Sequence, residues 1–318
     1  MTAEHSAEFL TPGSAAYEAH LREEIEHYGQ IYESEAARET LMQPVPTAWN
    51  WVEARAAEAV RQATGNDVLG HLIDALRRRP GLRLLSLGSG PGGIEIEAIR
   101  NAPAASGLCL DINTELLHLG QERAATLGLQ LLFEAADLNT LALPAAAFDV
   151  VLCHASLHHV IELEHLAAQI SRALTADGVF LTVDVVTRNG YLMWPETRQV
   201  VANIWKMLPA RYRLNHTAYR APLIDDEIWE ADTSASGMEC ARSEDILPII
   251  DERFVAVQYV PYFSLCRRFF DTMYGPNYDL ASPLDKAIVN WVWELDRYHL
   301  ATGRLRPETF FGIYRPRR

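Results

Sequence analysis

Leu82-Arg-Leu-Leu-Ser-Leu-Gly-Ser-Gly-Pro-Gly-Gly93 is the stretch around which the 318-residue chain is organised. Leu84, Leu85 and Leu87 form a short apolar run that suits a strand buried on both faces of a parallel sheet. Four glycines follow, and Ile94 to Arg100 then reads as a helix. Strand, glycine turn and helix start together make a cradle for a nucleotide. Glycine lets the backbone approach a ligand closely, and the unpaired N–H groups of a helix start attract negative charge. The spacing fits two patterns. Gly88, Gly90 and Gly93 satisfy GxGxxG, the dinucleotide fingerprint, whereas Gly88, Gly90 and Gly92 satisfy GxGxG.

Outward from this turn the chain alternates. Gly107 to Asp111 is a second short strand ending in an acid, and Asn113 or Thr114 caps the helix that follows. Leu129 to Ala135, Phe148 to Cys153 and Gly178 to Val186 are three more strands, with a helix over Leu163 to Leu174. Strands and helices alternating at such intervals give βαβ units and a parallel sheet. Residues 1–79 carry helical spacing only, with Thr47 as the expected cap of a second helix and breaks at Pro44-Val-Pro46 and Pro80-Gly81. This segment reads as a helical cap, in which Tyr28 and Tyr32 pack or close over a ligand. Residues 80–186 form the core and 187–243 an insertion rich in large rings. Residues 244–318 return to the sheet, with strands over Arg253 to Pro261 and Thr309 to Tyr314 and a long helix from Leu284 to Ala301. That helix packs inward or forms a homodimer surface.

Composition excludes several classes. A net charge of −14 argues against a partner with a phosphate backbone, so no nucleic acid is expected. No apolar run reaches membrane-spanning length, and the N-terminus lacks the pattern of a signal peptide. Cys109, Cys153, Cys240 and Cys266 form no CxxC pair and fit reduced thiols in the cytoplasm.

The later strand ends decide between the glycine patterns. Asp137-Leu138 puts a carboxylate beside an apolar residue at the third strand end. Phe148-Asp-Val-Val-Leu-Cys-His-Ala-Ser-Leu-His-His-Val160 and Leu174-Thr-Ala-Asp-Gly-Val-Phe-Leu181 follow in order. In this order of motifs the sequence resembles the class I S-adenosylmethionine-dependent methyltransferases of the small-molecule type, from about Leu82 to Val186. The resemblance implies a Rossmann-like seven-stranded sheet whose last strand, Thr309 to Tyr314, is antiparallel. It implies S-adenosylmethionine as cofactor, with Gly88, Ser89, Gly90 and Gly92 along the methionine end and Asp111 on the ribose. Ile112 would flank the adenine, and Asp137 would bind its amino group with Leu138 alongside. His154 would stand near the cofactor's amino-acid part and its transferable methyl.

Methyl transfer asks mainly for placement, and a base only where the acceptor holds its proton tightly. His154, His158 and His159 are the candidate bases, His154 and His158 foremost, while His158-His159 also belongs to a family string that often orients the loop or caps the helix. No acidic cluster stands near these histidines in sequence, so no metal is expected. Tyr191, Trp194, His216, Tyr219 and Trp229 are the candidate substrate residues of the insertion, with Tyr259 and Tyr262 comparable. The expected acceptor is a hydroxyl of a small metabolite, ahead of an amine or a carbon. The chain lacks an Asn-Pro-Pro-Tyr motif after the fourth strand, which argues against nucleic-acid bases as acceptors. Two other classes remain: an NAD(P)-dependent oxidoreductase, which leaves Asp137-Leu138 without a role, and a non-catalytic ligand binder on the same fold.

Overall fold

A computed structural model describes residues 10–32, 45–216, 223–235 and 237–317. Among the described residues three helices precede the sheet: α1 (Ala15–Tyr32), α2 (Thr47–Thr64) and α3 (Val68–Arg77). Thr47 is not the cap of α2. Pro46 takes that place in an extended conformation, where its fixed φ turns the chain into the helix. Asp67 caps α3 by accepting the Gly70 N–H.

The core then alternates as expected through β1 (Arg83–Leu87), α4 (Gly93–Asn101), β2 (Ser106–Asp111), α5 (Thr114–Thr126) and β3 (Leu131–Ala135). Asn113 supplies the α5 cap. β4 (Phe148–His154), α6 (Leu163–Ala173) and β5 (Leu174–Val185) follow. β5 starts four residues earlier than the sequence implies. Leu174 already pairs with Phe148, and the Ala146 and Ala147 N–H groups take the last carbonyls of α6, which draws the chain straight into the ladder.

After β5 come α7 (Pro195–Met207), α8 (Ile246–Arg253), β6 (Phe254–Tyr262), the short α9 (Cys266–Phe270), α10 (Pro283–Ala301) and β7 (Thr309–Pro316). A two-residue hairpin also pairs Leu214–Asn215 with Leu223–Ile224. The sheet order is β3-β2-β1-β4-β5-β7-β6, with β1 to β5 parallel and β7 antiparallel to both neighbours. In a dinucleotide-binding sheet the sixth strand lies directly beside the fifth and parallel to it. Here β7 separates them, so the topology rejects the GxGxxG reading.

Alternate residues of each strand serve opposite faces. Leu85, Leu87, Val151 and Phe180 pack with α6 and α8, whereas Leu84, Val150, Leu152 and Leu181 pack with α3 and α4. A second core lies apart from the sheet, built from Trp205, Tyr212, Phe269, Phe270, Val289 and Val292. α2 joins that second core through Ala48, Val52 and Ala56, while α3 joins the sheet through Leu72 and Leu76. The three N-terminal helices therefore go to three places. α10 turns Val289, Val292 and Trp293 inward and leaves Leu284 and Trp291 exposed. All four cysteines are free and buried, and no described helix is long and apolar enough to cross a membrane.

Beneath the glycine turn, Glu95 of α4 is buried and accepts the Ser86 hydroxyl at 2.6 Å. Burial pushes its carboxyl up to about 6, against the bond from Ser86 and with a small push from Asp111. The folded state thus holds this proton more tightly than the unfolded chain. The cost of ionisation is absent below the unfolded carboxylate pKa, grows as pH rises towards 6, and is complete above it. A shift of this size is worth about 2 kcal/mol. Glu95→Gln should therefore gain about 2 kcal/mol over the native protein between pH 4.5 and 7.5. Urea unfolding at both pH values checks this; an equal effect at both would place the strain elsewhere.

Candidate functional site

The carboxyl ends of β1 to β4 meet at one cavity of about 240 Å³. Its floor is the glycine turn. Gly88 has φ +68°, and a Cβ built on it would stand 2.4 Å from Ser156 Cβ. Ser156 is fixed there because its hydroxyl donates to the Leu87 carbonyl at 2.7 Å. This close approach is what requires glycine.

Asp111, at the tip of β2, holds the turn in shape. Its two carboxylate oxygens accept the Gly90 and Asn113 N–H groups, each at 2.8 Å. Burial raises its pKa, opposed by the Asn113 and Gly90 N–H groups. At the next strand end, Asp137 accepts the Asn139 N–H at 2.8 Å and the Tyr17 hydroxyl at 2.7 Å. Asn139 in turn donates to the Tyr17 oxygen and accepts the Ile161 and Glu162 N–H groups.

Tyr17 belongs to α1, which roofs the cavity with Leu21, Glu24 and Ile25. Two more polar contacts fasten the roof: Asn113 Nδ2 donates to the Ile25 carbonyl at 3.2 Å, and Glu24 pairs with His159 Nδ1 at 2.7 Å. Burial and the Asp137 carboxylate hold the Tyr17 phenol protonated, well above its ordinary pKa. Tyr17→Phe removes a donor from the half-buried Asp137 and an acceptor from the buried Asn139, which costs about 1–3 kcal/mol. Faster tryptic cleavage after Arg22 and a lower Tm are the expected results. An unchanged cleavage rate would mean that this bond does not hold the roof.

Residues 85–182 match the family model for a methyltransferase domain. Over this part of the core the chain is thus similar to methyltransferase domains. A Mycobacterium tuberculosis protein described as an uncharacterized methyltransferase is 29% identical over 136 residues, 42% of this chain and 66% of its own length. An uncharacterized M. tuberculosis protein matches more of the chain, at 25% identity over 236 residues, 73% of this chain and 80% of its own. This chain thus spans just under two thirds of the first relative. Among solved structures, an S-adenosylmethionine-dependent methyltransferase from Mesorhizobium loti is 20% identical, covering 78% of this chain and 96% of that one, with a TM-score of 0.45. The geranyl diphosphate C-methyltransferase of Streptomyces coelicolor is 15% identical, covering 96% and 99%, with a TM-score of 0.48.

The geometry of the cavity fits an adenosine-bearing cofactor: a side chain at Gly88 would strike Ser156, and the two acids stand one strand apart along the opening. Gly88, Ser89, Gly90, Asp111, Ile112, Asp137 and Leu138 all line it. Gly92 does not. It starts α4 with φ +70°, and a Cβ there would meet the Phe133 ring at 2.6 Å, so helix–sheet packing demands this glycine.

The histidines are arranged differently from the sequence reading. His159 lines the cavity, whereas His154 and His158 lie outside its lining. His154 ends β4, and burial lowers its pKa, countered by Asp184. His158 is buried with Nδ1 2.5 Å from Asp184 Oδ1. Asp184 also accepts the Ser156, Leu157 and Val185 N–H groups; burial works to raise its pKa, but His158 and these donors hold it low. Burial pulls the His159 imidazole down, yet Glu24, Glu239 and Asp184 push it up to about 9.

Of the substrate candidates, Tyr191 meets a half-buried arginine that periodicity did not single out. Arg267 donates to the Tyr191 hydroxyl at 2.8 Å and lies over the Tyr191 and Trp49 rings. No carboxylate pairs with Arg267 among the described residues. Trp194 is buried under Arg306. His216 is held by Asn277 at 2.8 Å, and the Trp229 N–H donates to the Tyr274 hydroxyl, both away from the cavity lining. Tyr259 is exposed on the edge strand β6, and Tyr262 is half-buried beside Phe263. Tyr219 and the side chains of Tyr28 and Tyr32 lie outside the described residues.

Proposed function

We propose that this protein transfers a methyl group from S-adenosylmethionine to an oxygen of a small metabolite. The observation that supports the reading is one roofed cavity that joins the glycine turn to two acids on successive strand ends. S-adenosylmethionine supplies, when bound, a methyl group already activated on a sulfonium. The chain then has to bind and align. Gly88, Ser89 and Gly90 border the methionine end, Asp111 accepts the ribose hydroxyls, and Asp137 takes the adenine amino group between Ile112 and Leu138. Holding the reacting atoms about 3 Å apart and aligned supplies several kcal/mol.

The acceptor side is the cleft around Tyr191 and Arg267. Arg267 acts electrostatically on Glu239, whose neighbour Met238 lines the cavity, so cleft and cavity adjoin. A guanidinium with no carboxylate at ion-pair distance among the described residues, set against two aromatic rings, suits an acceptor that carries an anionic group. His154 is assigned as the proton acceptor: it precedes the cavity-lining Ala155, and desolvation lowers its pKa against the pull of Asp184. A cytoplasmic setting fits the four free thiols.

Calorimetric titration with S-adenosylhomocysteine and, separately, NADH tests the cofactor reading. Micromolar binding of the first alone is expected. NADH binding, or silence from both, would overturn it. A panel of hydroxylated metabolites with and without carboxylates then separates enzyme from binder. Turnover should favour the anionic members, and Arg267→Gln should raise KM for these alone. Binding of S-adenosylhomocysteine without turnover of any member would favour a non-catalytic binder.

A further inference from the structure

His158, His159 and Glu239 bring three ligand atoms within 4.8 Å of one another. The Nε2 atoms of the two imidazoles lie 3.7 and 3.5 Å from the same oxygen, Glu239 Oε2. These separations exceed an ordinary N–H···O bond of about 2.9 Å. They approach the spacing of roughly 3.0–3.5 Å between two ligands that share one ion at about 2.1 Å. We infer that these three residues bind one divalent first-row transition-metal ion, such as zinc(II) or iron(II), at the edge of the cofactor cavity.

The surroundings are those of a built site. Each imidazole has its far nitrogen held by a carboxylate: His158 Nδ1 by Asp184 at 2.5 Å and His159 Nδ1 by Glu24 at 2.7 Å. A carboxylate on Nδ1 fixes the proton there, turns the Nε2 lone pair outward and makes it a stronger donor. Asp184 is itself locked by three backbone N–H groups. The 3₁₀ turn Leu157–His159 aims two consecutive side chains the same way, with ring centroids 4.1 Å apart. Glu24, Asp184 and Glu239 surround the two imidazoles with three carboxylates, whose charge a dication largely offsets once it displaces the proton of the His159 ring.

Donor chemistry selects the ion class. Two imidazole nitrogens and one carboxylate suit zinc, iron(II), cobalt or manganese, whereas magnesium and calcium prefer oxygen alone. Three protein ligands leave coordination positions open, as in catalytic rather than structural sites. The site is accessible: the Glu239 side chain is 36% exposed, and His159 and Met238 line the cavity. An ion there adjoins the space assigned to the acceptor, where it would make a bound hydroxyl more acidic. That role rests on the methyl-transfer reading, whereas the metal site does not.

The test uses untagged full-length protein freed of metal by a chelator and titrated with cobalt(II). One equivalent should bind with visible d–d absorption distinct from the aqua ion, and one equivalent of zinc(II) should displace it. Glu239→Gln should weaken cobalt binding at least tenfold, and Glu24→Gln should weaken it by about ten- to a hundredfold through the His159 ring. Circular dichroism and retained S-adenosylhomocysteine affinity establish that the Glu239 variant is folded. Glu239→Ala replaces it if it is not. A cobalt spectrum that stays that of the aqua ion overturns the inference. So does equal affinity in the native protein and the folded Glu239 variant, which would assign the cobalt to a surface pair such as His118 and Glu122.

Discussion

Asp111→Ala is expected to lower the affinity for S-adenosylhomocysteine by about a hundredfold, measured by calorimetry. The loss has two sources. Asp111 anchors the Gly90 and Asn113 N–H groups, and charge-assisted bonds of this kind are worth about 1.5–3 kcal/mol each. Part of that appears as lower stability, because the turn loses its shape even without ligand. The rest appears in binding, since the same carboxylate is assigned to the ribose. About 2.7 kcal/mol corresponds to a hundredfold. Asp111→Asn keeps one acceptor and should fall between the native protein and the alanine variant. An affinity unchanged within twofold in Asp111→Ala would remove Asp111 from the cofactor site and leave it a turn residue alone.

Gly88→Ala should be a strongly damaging single-methyl addition. A left-handed backbone costs an alanine about 1–2 kcal/mol. The new methyl also faces Ser156 Cβ at 2.4 Å, which cannot yield freely because its hydroxyl is tied to the strand below. A total loss of about 3 kcal/mol or more is expected, as for other overpacked sites. The clash and the backbone strain can be separated. In Gly88→Ala/Ser156→Gly the nearest remaining atom is the residue 156 Cα at 3.7 Å, an ordinary contact. The double variant should therefore be more stable than the sum of the two single variants implies. Strict additivity in urea unfolding would mean that the close approach is not what reserves position 88 for glycine.

Much of this was legible before any coordinates, for a physical reason. β1, the turn and α4 are written in neighbouring residues, and each strand end carries its acid within the same local run. Asp111 and Asp137 could therefore be located on the cavity from sequence order alone. The failures lie where partners are remote. Nothing near His158 in sequence announces Glu239 or Asp184, and nothing near Asp137 announces Tyr17, 120 positions away. The aromatic insertion misled for a related reason. Ring content signals burial without saying against what: Trp205 and Tyr212 fill a second core with α9 and α10, whereas Tyr191 meets Arg267. Arg267 was passed over because a charge in an apolar run carries no periodic signal; only its position against Tyr191 and Trp49 marks it.

The placement of α2 bears on how the chain comes to be folded. Ala48, Val52 and Ala56 emerge early in synthesis, yet the residues that cover them, from Met193 to Leu305, arrive much later. Until then this apolar stripe has no native cover. The central strand pairings can close within one stretch of chain, but the second core must join both ends of the polypeptide across a long loop, a slow step for entropic reasons. A fragment beginning near residue 80 would retain every residue assigned to the cofactor and still lack one wall of that second core. The smallest unit that folds is therefore larger than the smallest set of residues that binds.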